Sequence, residues 1–404
     1  MASRISTLAL AIAAALPSIA SAVDFSYNGF STAAYSQTDT DEAQVGYYGQ
    51  PEGIDSDGSF KMDSKLGLQV TAKFNDIVSA TVQGVAYTDL TGDWEPRLDW
   101  AYLRAQALPN LAIRAGYLRA PTFMYSDSVF IGYANTWVRP PLEIYNMTPV
   151  YQMRGVDATW RTSLGPVQVT LNPYYGDSEV DVGDDTLDVR SWIGAATTFE
   201  YRSWMARIGV SESELGSTVE QLIPLTEGLR AAGVYCAPCA NEAERLDLVG
   251  ARVKTVSFGT QYDDGKNLLA AEAAKATSGG NYLLPAREGA YITYGRRFGA
   301  LMPYVTIAQS RHHRPNESTI PATGSFAALS FAVTTLLEGS YSDQDSYSAG
   351  VRYEVPAISV LNGALVKLQF DHIDAKNGNG MLNNVQPGFD HRVNMITASF
   401  DFIF

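Results

Sequence analysis

The chain lacks long apolar runs. Nowhere in its 404 residues does one approach the roughly 18 residues that a spanning helix needs, so no such helix is expected. That leaves barrel strands open, because these take only about 9–11 half-polar residues. Basic residues are also scarce: 29 Lys and Arg face 43 Asp and Glu, for a formal net charge of −14. A nucleic-acid partner would call for a basic footprint, which is missing. Cysteine is limited to Cys236 and Cys239, in Cys-Ala-Pro-Cys. In an exported chain this pair is expected to be a local disulfide staple. A redox centre would need a βαβ setting, whereas the pair sits in a long loop after a predicted helix.

Histidine is limited to four residues. His312-His313 would point in opposite directions if extended, and neither an H-E-x-x-H helix nor a G-x-S-x-G elbow occurs. His372 shares a parity with Leu368 and Phe370, which points it outward near a rim. A barrel lipid hydrolase using Ser and His on its outer wall is therefore the weaker alternative. Asp55-Ser56-Asp57-Gly58 lacks the later ligands of a calcium loop. No catalytic centre, metal or cofactor is expected.

What the chain has in quantity is Tyr (23), Phe (16) and Gly (34), with only 18% charged residues. These are strand, interface and turn residues. The first residues read as a secretory signal, with Arg4, an apolar core from Leu8 to Leu16 and a small-residue cleavage site at Ala20-Ser21-Ala22. The expected division is a signal at 1–22 and one domain at 23–404.

The last stretch, His391 to Phe404, sets the pattern. Ile396, Ala398, Phe400, Phe402 and Phe404 share one parity, and Met395, Thr397, Ser399 and Asp401 the other. That is the period of a strand. Similar segments are predicted at 23–37, 63–74, 77–87, 96–108, 111–118, 151–163, 167–176, 187–200, 203–212, 248–262, 267–276, 288–298, 301–311, 345–355 and 360–374. With the final strand they number sixteen. Odd-numbered strands end in longer connections, including 38–62, 119–150, 177–186, 213–247 and 312–344, and even-numbered strands end in short turns. Such asymmetry fits a transmembrane antiparallel β-barrel with short turns at one end and long loops at the other. In lipid no open sheet edge is tolerated, so the first and last strands must close on each other. In the loop after residue 212, Ser217-Thr218-Val219-Glu220 fits a capping box, with Leu222, Leu225 and Leu229 at helical spacing and Pro224 limiting the length.

The connection 119–150 is too aromatic for a solvated loop: Phe123, Met124, Tyr125, Phe130, Ile131, Tyr133, Trp137 and Tyr145 need burial. It is expected to fold into the lumen. Here the chain resembles the trimeric Gram-negative porins over its whole mature length: signal, sixteen strands, an inward third loop and a last strand ending in Phe404. The segments Tyr125-Ser126-Asp127 and Arg139-Pro140-Pro141-Leu142-Glu143 suggest a divergent proteobacterial branch. The resemblance implies a homotrimer in the outer membrane, in contact with lipid and lipopolysaccharide, passing small hydrophilic solutes through a constriction at loop 119–150.

Selectivity in such a pore comes from its lining charges. The loop offers Arg119, Tyr125, Asp127, Tyr133, Arg139 and Glu143. The wall offers Lys65, Arg97, Arg104, Arg114, Arg154, Arg352, Lys367 and Asp371. Acids on the loop opposite bases on the wall would set a transverse field. Alternatively Arg139 and Glu143 pair with each other and merely shape the loop. Arg97 and Arg104 cannot share a face of a regular strand, so a bulge, an interface or the membrane edge is expected there. The outer loops are acidic, with Asp39, Asp41, Glu42, Glu52, Asp55 and Asp57 in the first and Asp177, Glu179, Asp181, Asp184 and Asp185 in the fourth. A mouth of one sign concentrates the opposite ion, so mild cation preference is expected. A substrate-specific channel, with Tyr125, Tyr133 and Trp137 as a stacking slide, is the alternative, and an adhesin or receptor working through its loops is a further one.

Overall fold

The computed structural model describes residues 23–47, 52–88, 92–148, 150–182, 185–313, 318–338, 342–356 and 363–404. The signal predicted at 1–22 lies outside the described residues. Sixteen antiparallel strands close into one barrel. In chain order they are β1 (Asp24–Thr38), β2 (Lys65–Lys73), β3 (Val78–Thr88), β4 (Trp94–Leu108), β5 (Leu111–Arg119), β6 (Gln152–Leu164), β7 (Val167–Val182) and β8 (Asp185–Tyr201). They continue as β9 (Trp204–Leu215), β10 (Arg252–Asp263), β11 (Asn267–Thr277), β12 (Ala286–Arg296), β13 (Leu301–His313), β14 (Ser342–Glu354), β15 (Ala364–Gly378) and β16 (Arg392–Ile403). Every segment predicted as a strand forms one within its described residues; 360–362 of the segment predicted at 360–374 lie outside them. Among the described residues no helix is long and apolar enough to cross a membrane.

Closure follows from the last strand. β16 pairs with β1 from Phe30↔Ile403 to Thr38↔Met395 and with β15 on its other side. No edge is left to solvate. The alternation decides which face is which. Ile396, Phe400 and Phe404 are exposed on the outside, while Thr397, Ser399 and Asp401 are buried inside. Phe402 stacks on Phe404 with ring centroids 5.7 Å apart. On β2, Leu66, Leu68 and Val70 point out and Lys65 points in. Turns at the opposite end are tight. Between β10 and β11, Asp264 accepts from the backbone N–H groups of Lys266 and Asn267, and Gly265 takes the left-handed conformation at φ 81°.

Two local expectations need correction. The fourth long connection, predicted at 177–186, is mostly strand: β7 and β8 keep pairing through Val180↔Leu187 to Val182↔Asp185. Strand-forming Val180 and Leu187 lie directly opposite each other, so Asp177, Glu179 and Asp181 ride on a hairpin strand and not in a loop, while Asp184 lies outside the described residues. The capping box does not form. Ser217 Oγ instead serves the backbone N–H of Asp188, 2.6 Å away. Helix formation begins later, with Pro224 in the first turn, where its fixed φ and missing N–H are harmless. Among the described residues the α-helices are α1 (Leu142–Tyr145), α2 (Ile223–Ala232), α3 (Ala237–Arg245) and α4 (Ala327–Glu338). The last two were not visible in the sequence pattern.

α2, α3 and α4 form a small cap at the long-loop end, with Leu229, Leu246, Tyr282, Val333 and Leu337 in its core. Cys236 and Cys239 are disulfide-bonded within that core, with their Cα atoms 5.2 Å apart. The first and last long loops meet in a two-stranded ribbon, Gln44–Val45 against Leu382–Asn383. Val45, Ile54, Leu382 and Phe389 pack with Leu142 beneath it. The barrel seam is thus roofed at one end.

Candidate functional site

Loop 119–150 lies inside the barrel because its apolar side chains find partners there. Phe123, Phe130, Trp137, Ile144 and Tyr145 pack with Tyr291, Tyr304 and Ala308 of the wall. Gly132 runs so close to β16 that a Cβ would collide with the Asp401 carboxylate and the Thr32 hydroxyl, so a larger residue would have to push these side chains aside.

The loop is fixed to the wall around the seam, strands β12–β16 with β1 and β2. Arg139 reaches Asp63 with Nη2 at 2.5 Å and Asp371 with Nη1 at 3.1 Å. It also donates to Thr397 Oγ1 at 2.7 Å. Burial alone would raise the Asp63 carboxyl, but the Arg139 guanidinium holds it below the usual carboxylate range. Lys367, fully buried, donates to the carbonyls of Gly132 (2.6 Å) and Trp137 (2.7 Å) and lies 3.4 Å from Asp401. Trp137 donates its indole N–H to Thr293 and Thr306 at 3.0 and 2.9 Å. Glu143 accepts from Gln344 Nε2 at 2.9 Å and from Ser346 Oγ, and burial pushes its carboxyl pKa up. At the margin of this wall, Glu272 on β11 accepts from the Met124 N–H (2.7 Å) and the Tyr145 hydroxyl (2.8 Å). A buried charge left without its partner costs several kcal/mol, so each contact fixes the loop position strongly.

Arg119 anchors the root of the loop. It pairs with Asp99, donates to the Ser126 carbonyl at 3.3 Å and lies 4.3 Å from the Phe130 ring centroid. Asp99 is available because β4 carries a bulge: Gln83 opposes Trp100, but Gly84 opposes Leu98. The extra residue also resolves the odd spacing of Arg97 and Arg104, turning both inward.

The opposite wall, β4–β10, stays open. Asp127 is the charged loop residue exposed to the bore, and Tyr125 and Tyr133 are half-buried beside it. Asp127 is near enough to act electrostatically on Arg114. Arg114 is held by Asp157 at 2.5 Å and lies 5.1 Å from the Tyr102 ring centroid. Arg97 pairs with Glu95 at 2.7 Å, and Arg104 bonds Gln106 at 2.5 Å. Arg352 reaches under Tyr133, 5.8 Å from its ring. The inward arginines not identified from the sequence include Arg161 and Arg207. Arg161 shares a face with Asp157, and Arg207 donates to the Pro121 carbonyl at 2.9 Å. Counting parity from the turn at 165–166 would have found Arg161.

Several proposed lining residues have other places. Arg154 is on the outer face, in register with Tyr117, and pairs with Asp177 at 2.6 Å. Its parity is that of outward Val156, so it does not line the lumen. Arg139 and Glu143 do not pair with each other; each is bound to the wall. Arg119, Lys65, Lys367 and Asp371 are buried beneath the loop and not bathed by the bore. Trp137 is buried too, so Tyr125, Tyr133 and Trp137 make no continuous slide.

No protein-family model and no curated protein sequence matches the chain. Solved structures do match its fold. OmpF of Salmonella typhi, in complex with daunomycin, aligns at a TM-score of 0.56 and 14% identity, covering 94% of this chain and 97% of that one. The anion-selective porin of Comamonas acidovorans gives 0.53 and 10%, covering 95% and 100%. The trimer form of OmpT, an outer membrane protein of Vibrio cholerae, gives 0.53 and 11%, covering 95% and 100%. At these identities the likeness is one of fold: a closed sixteen-stranded barrel with its ends joined at the seam.

Proposed function

We propose that the protein is an outer-membrane porin, a passive channel for small hydrophilic solutes and ions that is narrowed by loop 119–150. The observation that carries this reading is the division of one closed barrel. Its outside is apolar and aromatic, and its inside pairs a wall-bound loop with an open, charged wall. Lipid on one side and water on the other are the two solvents such a surface fits. A homotrimer is proposed as well, supported by the family resemblance and by the trimer form of a structural neighbour.

Asp127 and the acidic outer loops favour cations, while Arg104, Arg114, Arg161 and Arg207 along the open wall oppose them. Weak cation preference is the expected balance. The hydrolase alternative has less support. His372 does face outward, but its Nδ1 is engaged by Asn394 at 2.7 Å and its ring neighbour is Tyr347. Among the described residues no serine is bonded to it.

Liposome swelling tests the channel. Proteoliposomes should swell in small neutral sugars and progressively less in larger ones. Equal exclusion of all sugars, with the barrel inserted, would refute the channel. A reversal potential of anionic sign under a salt gradient would refute the cation preference.

A further inference from the structure

The buried acids around residues 137–143 of the loop are unequally served. Asp63 and Asp371 share Arg139, and Asp401 lies 3.4 Å from Lys367. Glu143 is only 3% exposed, yet among the described residues no base lies within ion-pair distance of it. The charged group that acts on it is a second acid, Asp371. Its two side-chain donors, Gln344 and Ser346, both go to Oε1, which leaves Oε2 with none. Glu272 also lacks a cation, but both of its oxygens are taken, by the Met124 N–H and by the Tyr145 and Tyr291 hydroxyls.

Glu143 differs in a second way. It lines a cavity of about 40 Å³ between loop residues 137–143 and the inner face of β13–β16. One water occupies about 10–15 Å³ of such space, so a small ion fits with a water or two. The lining is rich in oxygen. Thr306, Ser348 and Asp371 lie side by side across β13, β14 and β15, and all three face the cavity. Among the described residues the Ser348 hydroxyl has no hydrogen-bond partner. Carboxylate and hydroxyl oxygens suit a hard cation. Among the described residues no three His, Cys, Asp or Glu side chains gather to hold a metal ion. Arg139 already stands beside Asp371, so the charge still to be matched is the single one on Glu143. A buried carboxylate without a counter-charge is costly.

We infer that this cavity is a binding site for a small monovalent cation such as Na⁺, held between Glu143 and Ser348 with Asp371 beside them. The ion supplies the counter-charge that the chain does not, and it ties residues 137–143 to β14. The site does not depend on the channel reading.

Thermal unfolding of the full chain in detergent tests it, in NaCl and in N-methyl-D-glucamine chloride at equal ionic strength. The organic cation is too large for the cavity. The wild type should melt about 2–4 °C higher in Na⁺, and the gain should saturate as Na⁺ is added. Glu143→Gln removes the charge at nearly constant shape and should melt at one temperature in both salts. Ser348→Ala should keep the gain but need about tenfold more Na⁺ to reach half of it. The inference is overturned if the wild type melts alike in both salts, the result for a carboxyl that carries its own proton. It is also overturned if Glu143→Gln keeps the gain, which places the ion elsewhere, or, should that variant not fold, if Ser348→Ala needs no more Na⁺ than the wild type. Melting is read without current, so a barrel that fails to conduct leaves each of these outcomes decisive.

Discussion

The two walls of the lumen use similar side chains for opposite purposes. Around the seam, Arg139, Lys367, Asp63, Asp371 and Asp401 are dry and joined to one another or to loop carbonyls. On the far wall, Arg104, Arg114 and Arg161 stand at the edge of the open bore. The difference teaches that a lining charge is not defined by pointing inward. Covered by the loop, a charge becomes a fastening, sensitive to loss of its partner. Left in water, it is screened and contributes little to stability, but it acts on passing ions.

The comparison is best broken at Arg139. Arg139→Ala leaves Asp63 and Asp371 buried without their cation and should cost about 3–5 kcal/mol in denaturant unfolding. The loop should come free, seen as a larger and noisier single-channel current. Lys367→Met removes a charged donor from two loop carbonyls and the cation beside buried Asp401, and should cost about 3 kcal/mol, the lower end of the Arg139 effect, with a smaller rise in current. Acid probes the same wall without mutation. The Asp63 pKa is lowered in the folded protein. Its contribution to stability is therefore complete above the unfolded value near 3.9 and is lost as pH falls through the folded value. The Asp63–Arg139 fastening should therefore loosen, and conductance noise from it rise, only below about pH 4, whereas Glu143, raised by burial, takes up its proton at higher pH. The smallest stability effects belong to the far wall. Asp127→Asn and Arg161→Gln should change unfolding by no more than about 0.5 kcal/mol. They should nonetheless shift the reversal potential in opposite directions, toward anions for the first and toward cations for the second.

The barrel was legible in the sequence because its signal is repeated. Period-two alternation, short turns such as Asp264-Gly265 and the terminal run from Ile396 to Phe404 each impose the same inside and outside. The inward path of loop 119–150 was legible from its aromatics. Its fastenings were not, because they join residues far apart in the chain: Arg139 meets Asp63 and Thr397, and Glu143 meets Ser346. Composition marks such residues as charged without saying whether a loop covers them. The inward turn of both Arg97 and Arg104 rests on one extra residue at Asp99. Arg154 was misplaced because its inward or outward parity could not be fixed without the register at Tyr117. The α4 helix escaped notice because Ala327–Glu338 is apolar without a clear amphipathic period.

Thiol accessibility tests the division of the lumen most directly. Both native cysteines are joined, so an introduced cysteine is the sole free thiol. Thr170→Cys lies on the inner face of β7, in register with Arg161, and Ser399→Cys lies beneath the loop on β16. A charged, water-soluble methanethiosulfonate should modify the first rapidly and reduce its current, and should leave the second unmodified. Rapid modification of Ser399→Cys, with Thr170→Cys inert, would contradict a bore that runs along the far wall.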